Sequence, residues 1–453
     1  MSSGRNEADA PRGLRSIGRA LAYRNYRLFF GGQGVSLIGT WMTRIATGWL
    51  VFRLFRDQPE RAAFLLGMVG FAGQIPAFFV GPLAGALVDR WNRQRLLIVT
   101  QLLSLLQSGA LAVVAFAGEE ASTTVWTVFG LALCQGLINA FDMPGRQAFL
   151  IEMIESREDL PNAIALNSSL VNGARLIGPS LAGVVIAVTH HEGWCFVIDA
   201  VSYVGVVAAL LAMRVTARAR PHRSPVWRGI AEGFRYAFGF APIRSILLLL
   251  SLLSVMGMPY TVLMPIFAAD VLHGGAYAYG FLTGASGVGA LIGALHLASR
   301  NSVRGLGRTI VIAGLAFSFG LIGFGLSPFF WLSMALMLLT GFGMMVAMAA
   351  SNTILQTIVD EDKRGRVMSF YTMAFLGTAP FGSLIAGVVA GVIGAPATVT
   401  IGGAFCLAGT LGFALHLPHL RTLVRPIYIR MGIIPEIATG LQAAARYSQP
   451  PHD

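Results

Sequence analysis

The sequence predicts an all-α membrane protein of twelve spanning helices in two six-helix bundles, and three observations predict it. Apolar stretches of about 20 residues, the length that crosses a bilayer, recur from Leu28 to Leu417. Charged residues make up 12% of the chain against 55% hydrophobic, with a mean hydropathy of +0.67, whereas soluble domains carry about 25% charged residues. One long basic segment, 214–244, divides the apolar stretches six and six.

The first six spans are read at 28–51, 63–87, 96–117, 124–141, 162–188 and 194–213. The first follows a tail, residues 1–27, with six arginines; it is too long for a signal-peptide core and has no small-residue cleavage pattern, so it is read as a retained helix. The second ends at the charged turn GALVDRWNRQ, the fourth where DMPGR begins, and the fifth holds Gly178-Pro179. The linker 214–244 sets seven arginines against the single acid Glu232. The second six spans are read at 245–269, 279–298, 309–326, 329–349, 368–393 and 397–417, followed by a tail, 418–453. Lys and Arg concentrate in short cytoplasmic loops. With the N-terminus inside, inside segments hold 28 of the 33 basic residues, outside ones only Arg53, Arg56 and Arg61, and both termini are expected to be cytoplasmic.

Several function classes fall away. The net charge of +12 fits the anionic inner leaflet better than nucleic acid. The only lysine, Lys363, is followed by arginine, so no phosphate-cradling Gly-Lys-Ser/Thr loop is present. The segments outside the spans are too short for a soluble catalytic domain, and HExxH, GxSxG and CxxC patterns are missing. Cys134, Cys195 and Cys406 fall in separate spans and read as buried small hydrophobes. His190 and His191 read as a wetted loop. No cofactor or metal is expected.

Transporters built from repeats show internal similarity. GPSLAGVV (178–185) matches FGSLIAGVV (381–389) with Gly183 opposite Gly387, and GMVGFAG (67–73) matches GFLTGASG (280–287). The first offset, 204, sets Arg175 opposite Ala379, so that charge has no twin.

The turn GALVDRWNRQRLL resembles the loop 2–3 signature of the major facilitator superfamily, G-x-x-x-D-R-x-G-R-[KR]. Gly85, Asp89, Arg90 and Arg93 match; Asn92 stands where the family has a second glycine and Gln94 where it has a basic residue. The resemblance implies the major facilitator fold and a conformational switch in which Asp89 pairs with Arg146 of loop 4–5 or with a helix start in the second half. Residues 141–183, from FDMPGRQAF through NAIALN to RLIGPSLAG, resemble the drug:proton antiporter subfamily that includes enterobactin exporters and macrolide efflux proteins. Segments 284–295 and 360–371 fit the same group. The implied function is proton-coupled export of a siderophore, drug or similar amphipathic small molecule by a monomer in the bacterial inner membrane. Thr40 stands where exporters of this group often carry an acid. An uncoupled facilitator or lipid carrier of the same fold is the alternative, and a membrane-embedded enzyme or sensor a remote one.

Arg175 lies about 20 Å into its span at 1.5 Å per residue. A mid-membrane arginine costs roughly 2.5–3.5 kcal/mol on insertion scales, so it must face protein or water. Ser168, Asn172 and Arg175 share one polar stripe, while Ala174, Gly178 and Ala182 form a small-residue face. Pro179 frees a backbone carbonyl and can bend the helix. Asp199 is read as the only acid well within a span and either takes up the coupled proton or stays ionised as the partner of Arg44 or Arg175. Arg175, with Arg44, Asn172 and Ser168 as further candidates, either contacts an anionic or polar substrate in a central cavity or holds helices together. Methionines crowd the second half, where ordinary packing or an adaptable cavity would use them.

Overall fold

The computed structural model describes residues 18–88, 90–118, 120–156, 158–215, 234–300, 302–431 and 433. The N-terminal tail to residue 17, most of the basic linker, Asp89 and the end of the C-terminal tail lie outside the described residues. The fold is all-helical and carries the twelve expected helices in chain order. In the first half these are α1 (Arg24–Leu54), α2 (Pro59–Ala72 with Ile75–Val88), α3 (Arg93–Ala117), α4 (Ala121–Glu152), α5 (Leu160–Thr189) and α6 (Gly193–Ala212). The second half has α7 (Ala241–Leu252, continuing to Val271), α8 (Ala276–Ala298), α9 (Leu306–Leu326), α10 (Phe330–Ile358), α11 (Glu361–Thr372, continuing to Ile393) and α12 (Ala395–Arg430).

Eleven helices among the described residues are long and apolar enough to cross a membrane. The twelfth, α1, is 31 residues long but diluted by Gln33, Ser36, Thr40, Thr43, Arg44 and Thr47. Several helices overrun the apolar spans. α4 continues from Phe141 to Glu152 and α12 from Leu417 to Arg430, because a helix stays favourable after its apolar face leaves the bilayer. Span 2 breaks at Gly73-Gln74. Span 7 carries π-helical turns at Leu253–Gly257 and Phe267–Val271, and span 11 one at Met373–Gly377; such turns bend a helix locally.

Helices α1 to α6 pack on one another, as do α7 to α12, and the halves meet along α2 with α11 and α5 with α8. Both seams run on glycine. A Cβ on Gly67 would lie 2.7 Å from Gly387 Cα, and one on Gly183 would lie 2.8 Å from the Ala276 carbonyl oxygen and 3.2 Å from Gly280 Cα. These are the stretches paired in the repeat comparison. The two repeats therefore touch across the interface, 67–73 against 381–389 and 178–185 against 280–287. Phe71 and Phe78 close the first seam with edge contacts to Phe381, at centroid distances of 6.2 and 5.6 Å. The glycine contacts lie toward the end bearing the loops 55–58, 190–192 and 272–275, and Phe78 continues the first seam past the break in α2. Toward the other end of α5, Ser168 and Ser169 are exposed.

Candidate functional site

Helix α1 presents two chemistries on two faces, because successive residues point about 100° apart around a helix of 3.6 residues per turn. Thr43 faces α6 and α3. Its hydroxyl donates to Asp199 Oδ2 at 2.8 Å, and Ser108 of α3 donates to the same oxygen at 2.7 Å. Asp199 is 1% exposed. A Cβ on Gly39 would lie 2.6 Å from Asp199 Oδ1, so glycine is what lets α1 approach this carboxyl group. Thr40, where related exporters often have an acid, bonds the Tyr203 hydroxyl at 3.1 Å. No cation lies within ion-pair distance of Asp199 among the described residues, which corrects the expected pairing with Arg44 or Arg175. Arg44 follows Thr43 by one residue and is therefore turned away from α6.

Asp199 is not the only buried acid in a helix. Asp142 is also 1% exposed and sits inside α4, where Arg146, one turn on, pairs with it through the guanidinium Nε at 2.5 Å. The sequence reading ended span 4 at residue 141 and so placed both in a loop. Thr100 and Gln101 of α3 each donate to Asp142 Oδ1 at 2.8 Å. The two acids stand at the ends of one buried polar stripe on α3: Thr100, Gln101, Ser104, Gln107 and Ser108. Gln135 of α4 donates to the Ser104 hydroxyl at 3.4 Å and to Asn139 at 3.2 Å, and Ser108 bonds Gln107 at 3.4 Å. The signal was present in the text TQLLSLLQS, whose polar residues recur at helical spacing; apolar neighbours masked it.

The other face of α1 carries Arg44. Its guanidinium carbon lies 5.4 Å from the Trp41 ring centroid, and that of Arg175 lies 5.3 Å from the same centroid, within cation–π range. Gly178 makes this meeting possible: a Cβ there would lie 2.5 Å from Trp41 Cβ and 2.9 Å from the Ile38 carbonyl oxygen. Among the described residues neither guanidinium makes an ion pair or hydrogen bond. Arg44 is exposed and Arg175 partly so. Tyr260 and Tyr279 of α7 and α8 are their electrostatic neighbours, so the pair faces the space between the halves. Tyr260 exchanges a hydrogen bond of 2.9 Å with Ser286. Pro179 leaves the Arg175 carbonyl without its helical donor, and α8 comes close there at Gly287. Asn172 donates to the Ser168 carbonyl at 2.8 Å and so lies along the same stripe without contacting Arg175. Gly183 belongs to the seam with α8 rather than to this cluster.

At the loop 2–3 motif, Arg93 is buried and pairs with Glu152 at the end of α4. Arg90 is exposed. Gly85 lies in α2. Asn92 caps α3, its side chain accepting from the Arg95 backbone N–H at 3.0 Å, a task the family's glycine could not perform. At the opposite end Arg53 pairs with buried Glu192 at 2.5 Å.

The family model for transmembrane secretion effectors matches residues 20–426, nearly the whole described chain. The chain belongs to this family of the major facilitator superfamily. Among curated relatives, the staphyloferrin A transporter of Staphylococcus aureus is 25% identical over 387 residues, covering 85% of this chain and 95% of that one. The multidrug efflux pump Tap of Mycolicibacterium fortuitum is 27% identical over 398 residues, covering 85% and 93%. The crystal structure of a D-xylose–proton symporter shares the fold with a TM-score of 0.67 at 14% identity, covering 86% of this chain and 97% of that one. This family member is thus a multi-pass membrane transporter of the efflux type.

Proposed function

We propose that the chain exports a siderophore, drug or similar amphipathic small molecule in exchange for protons, by alternating access between the two six-helix halves. The observation that carries this reading is Asp199: a buried carboxyl group with no cation beside it among the described residues, held by two hydroxyls. A carboxylate buried without a counter-charge is expensive, whereas its neutral form is not. Proton uptake and release at Asp199 therefore changes the energy of whichever conformation buries it. Thr43 touches that carboxyl group and Arg44 reaches the central space, so α1 joins the proton site to the substrate site. The excess of Lys and Arg in alternate loops supports cytoplasmic termini; on that reading the glycine seams are the outer gate and the form with both seams closed is inward-open. The chain works as a monomer, with the loop around Asp89, Arg90 and Arg93 setting the balance between forms.

The test is transport in proteoliposomes with and without an imposed pH gradient, using a macrolide and a ferric-free siderophore as probes. Export accelerated by the gradient in wild type, and indifferent to it in Asp199→Asn, supports the reading. Flux that ignores the gradient in wild type replaces it with uncoupled facilitation, and no flux under either condition overturns both.

A further inference from the structure

The central space carries an uncompensated positive charge. Arg44 and Arg175 lie over one indole, at 5.4 and 5.3 Å from its centroid, and neither has an acid or acceptor among the described residues. Like charges in a site of reduced dielectric repel, and an arrangement that holds two of them together unpaired is completed by an anion. The buried acids do not answer this need. Asp142 is occupied by Arg146, Thr100 and Gln101, and Asp199 faces Thr43 and Ser108. From the second half the neighbours are the neutral hydroxyls of Tyr260 and Tyr279.

The geometry points to a binding site for a ligand that carries two anionic groups on a flat apolar body, with Arg44 and Arg175 taking the anions and Trp41 the body. This rests on the reading of the chain as an exporter of amphipathic small molecules. Each arginine offers a planar fork of donors suited to carboxylate or phosphate, and the indole face supplies a stacking platform. A single anion would leave one guanidinium unanswered, and a cationic drug would meet the two arginines with no carboxylate beside them. Arg175 is fifteen residues into α5, about 22 Å at 1.5 Å per residue, so a free solute reaches it more readily than a lipid headgroup anchored at the membrane surface.

The test is equilibrium binding to the purified full chain in phosphatidylcholine nanodiscs at one pH throughout, with 2,3-naphthalenedicarboxylate, its neutral dimethyl ester and a naphthylmethyl trimethylammonium ion as probes. The dicarboxylate is expected to bind at least about tenfold more tightly than the ester, and the ammonium ion no better than the ester. Arg44→Gln and Arg175→Gln should each weaken dicarboxylate binding by about ten- to hundredfold, the range for a lost hydrogen bond to a charged group. Ester binding should be unchanged in both, and Arg175→Lys should recover only part of the lost affinity, because lysine restores the charge without the planar fork. Absence of dicarboxylate binding, equal binding of dicarboxylate and ester, or tighter binding of the ammonium ion overturns the proposal. Loss of dicarboxylate binding when a third of the lipid is phosphatidylglycerol overturns it too, since the occupant is then a headgroup. Where a glutamine variant fails to fold, the wild-type comparison of acid and ester decides. No gradient is present, so failure here leaves proton coupling standing, and failure of coupling leaves this site standing.

Discussion

The glycine seams allow the conformational energy to be perturbed by one methyl group at a time. In Gly387→Ala the new Cβ would sit 2.8 Å from both the Ala63 carbonyl oxygen and Gly67 Cα; in Gly183→Ala it would sit 2.8 Å from the Ala276 carbonyl oxygen. Ordinary contact begins near 3.4 Å, so each seam must part by about 0.6 Å. The obstructing atoms are backbone and cannot rotate away. Overpacking of this kind costs about 1–3 kcal/mol, and it falls only on the form in which the seams are closed. The population should therefore move toward the parted form by about 5- to 150-fold. The assay is double electron–electron resonance between spin labels at Asp57 and His273, exposed on the loops of opposite halves, with exposed Cys134 replaced by serine. Both variants are expected to gain a longer-distance population, and by similar amounts. Unchanged distance distributions in both variants would refute the reasoning.

Arg175→Ala is expected to lower export in proteoliposomes while membrane insertion, read by size-exclusion chromatography, stays normal. Glu152→Ala takes one carboxylate from an Arg93 side chain that is 4% exposed; weakening a buried ion pair lowers stability, seen as a fall in the thermal unfolding midpoint. Ser108→Ala removes one of two donors to Asp199 and is expected to change the pH profile of gradient-driven export. An unchanged pH profile would dissociate Ser108 from coupling.

The helices were legible because hydropathy reports the bilayer directly; the glycine-bearing stretches of the repeat comparison were legible as repeats, but that they meet as seams appears only in the structure, where close backbone approach needs glycine on each side. Helix ends were not legible: Asp142 and Arg146 stood just beyond the last apolar residue of span 4, and nothing in local composition shows that a helix continues into water. Trp41 gave no signal, since an indole in an apolar helix is ordinary until a second helix brings Arg175 to it. The supposed pairing of Arg44 with Asp199 rested on depth alone. Depth fixes height along a helix and leaves azimuth open, and it is azimuth that gives Thr43 to Asp199 and Arg44 to the central space.

The ionic residues within the first-half spans, Arg44, Arg175 and Asp199, and the Asp142–Arg146 pair on the continuation of α4 have no counterpart in the second half, which supplies tyrosines, methionines and no Asp, Glu, Lys or Arg to the middle of any span. On the proposed function the two halves divide into a driver and a mould. Mutations in the mould can reshape the ligand spectrum without touching a charge, so new specificities can evolve in the second half while the ionic machinery of the first is inherited intact.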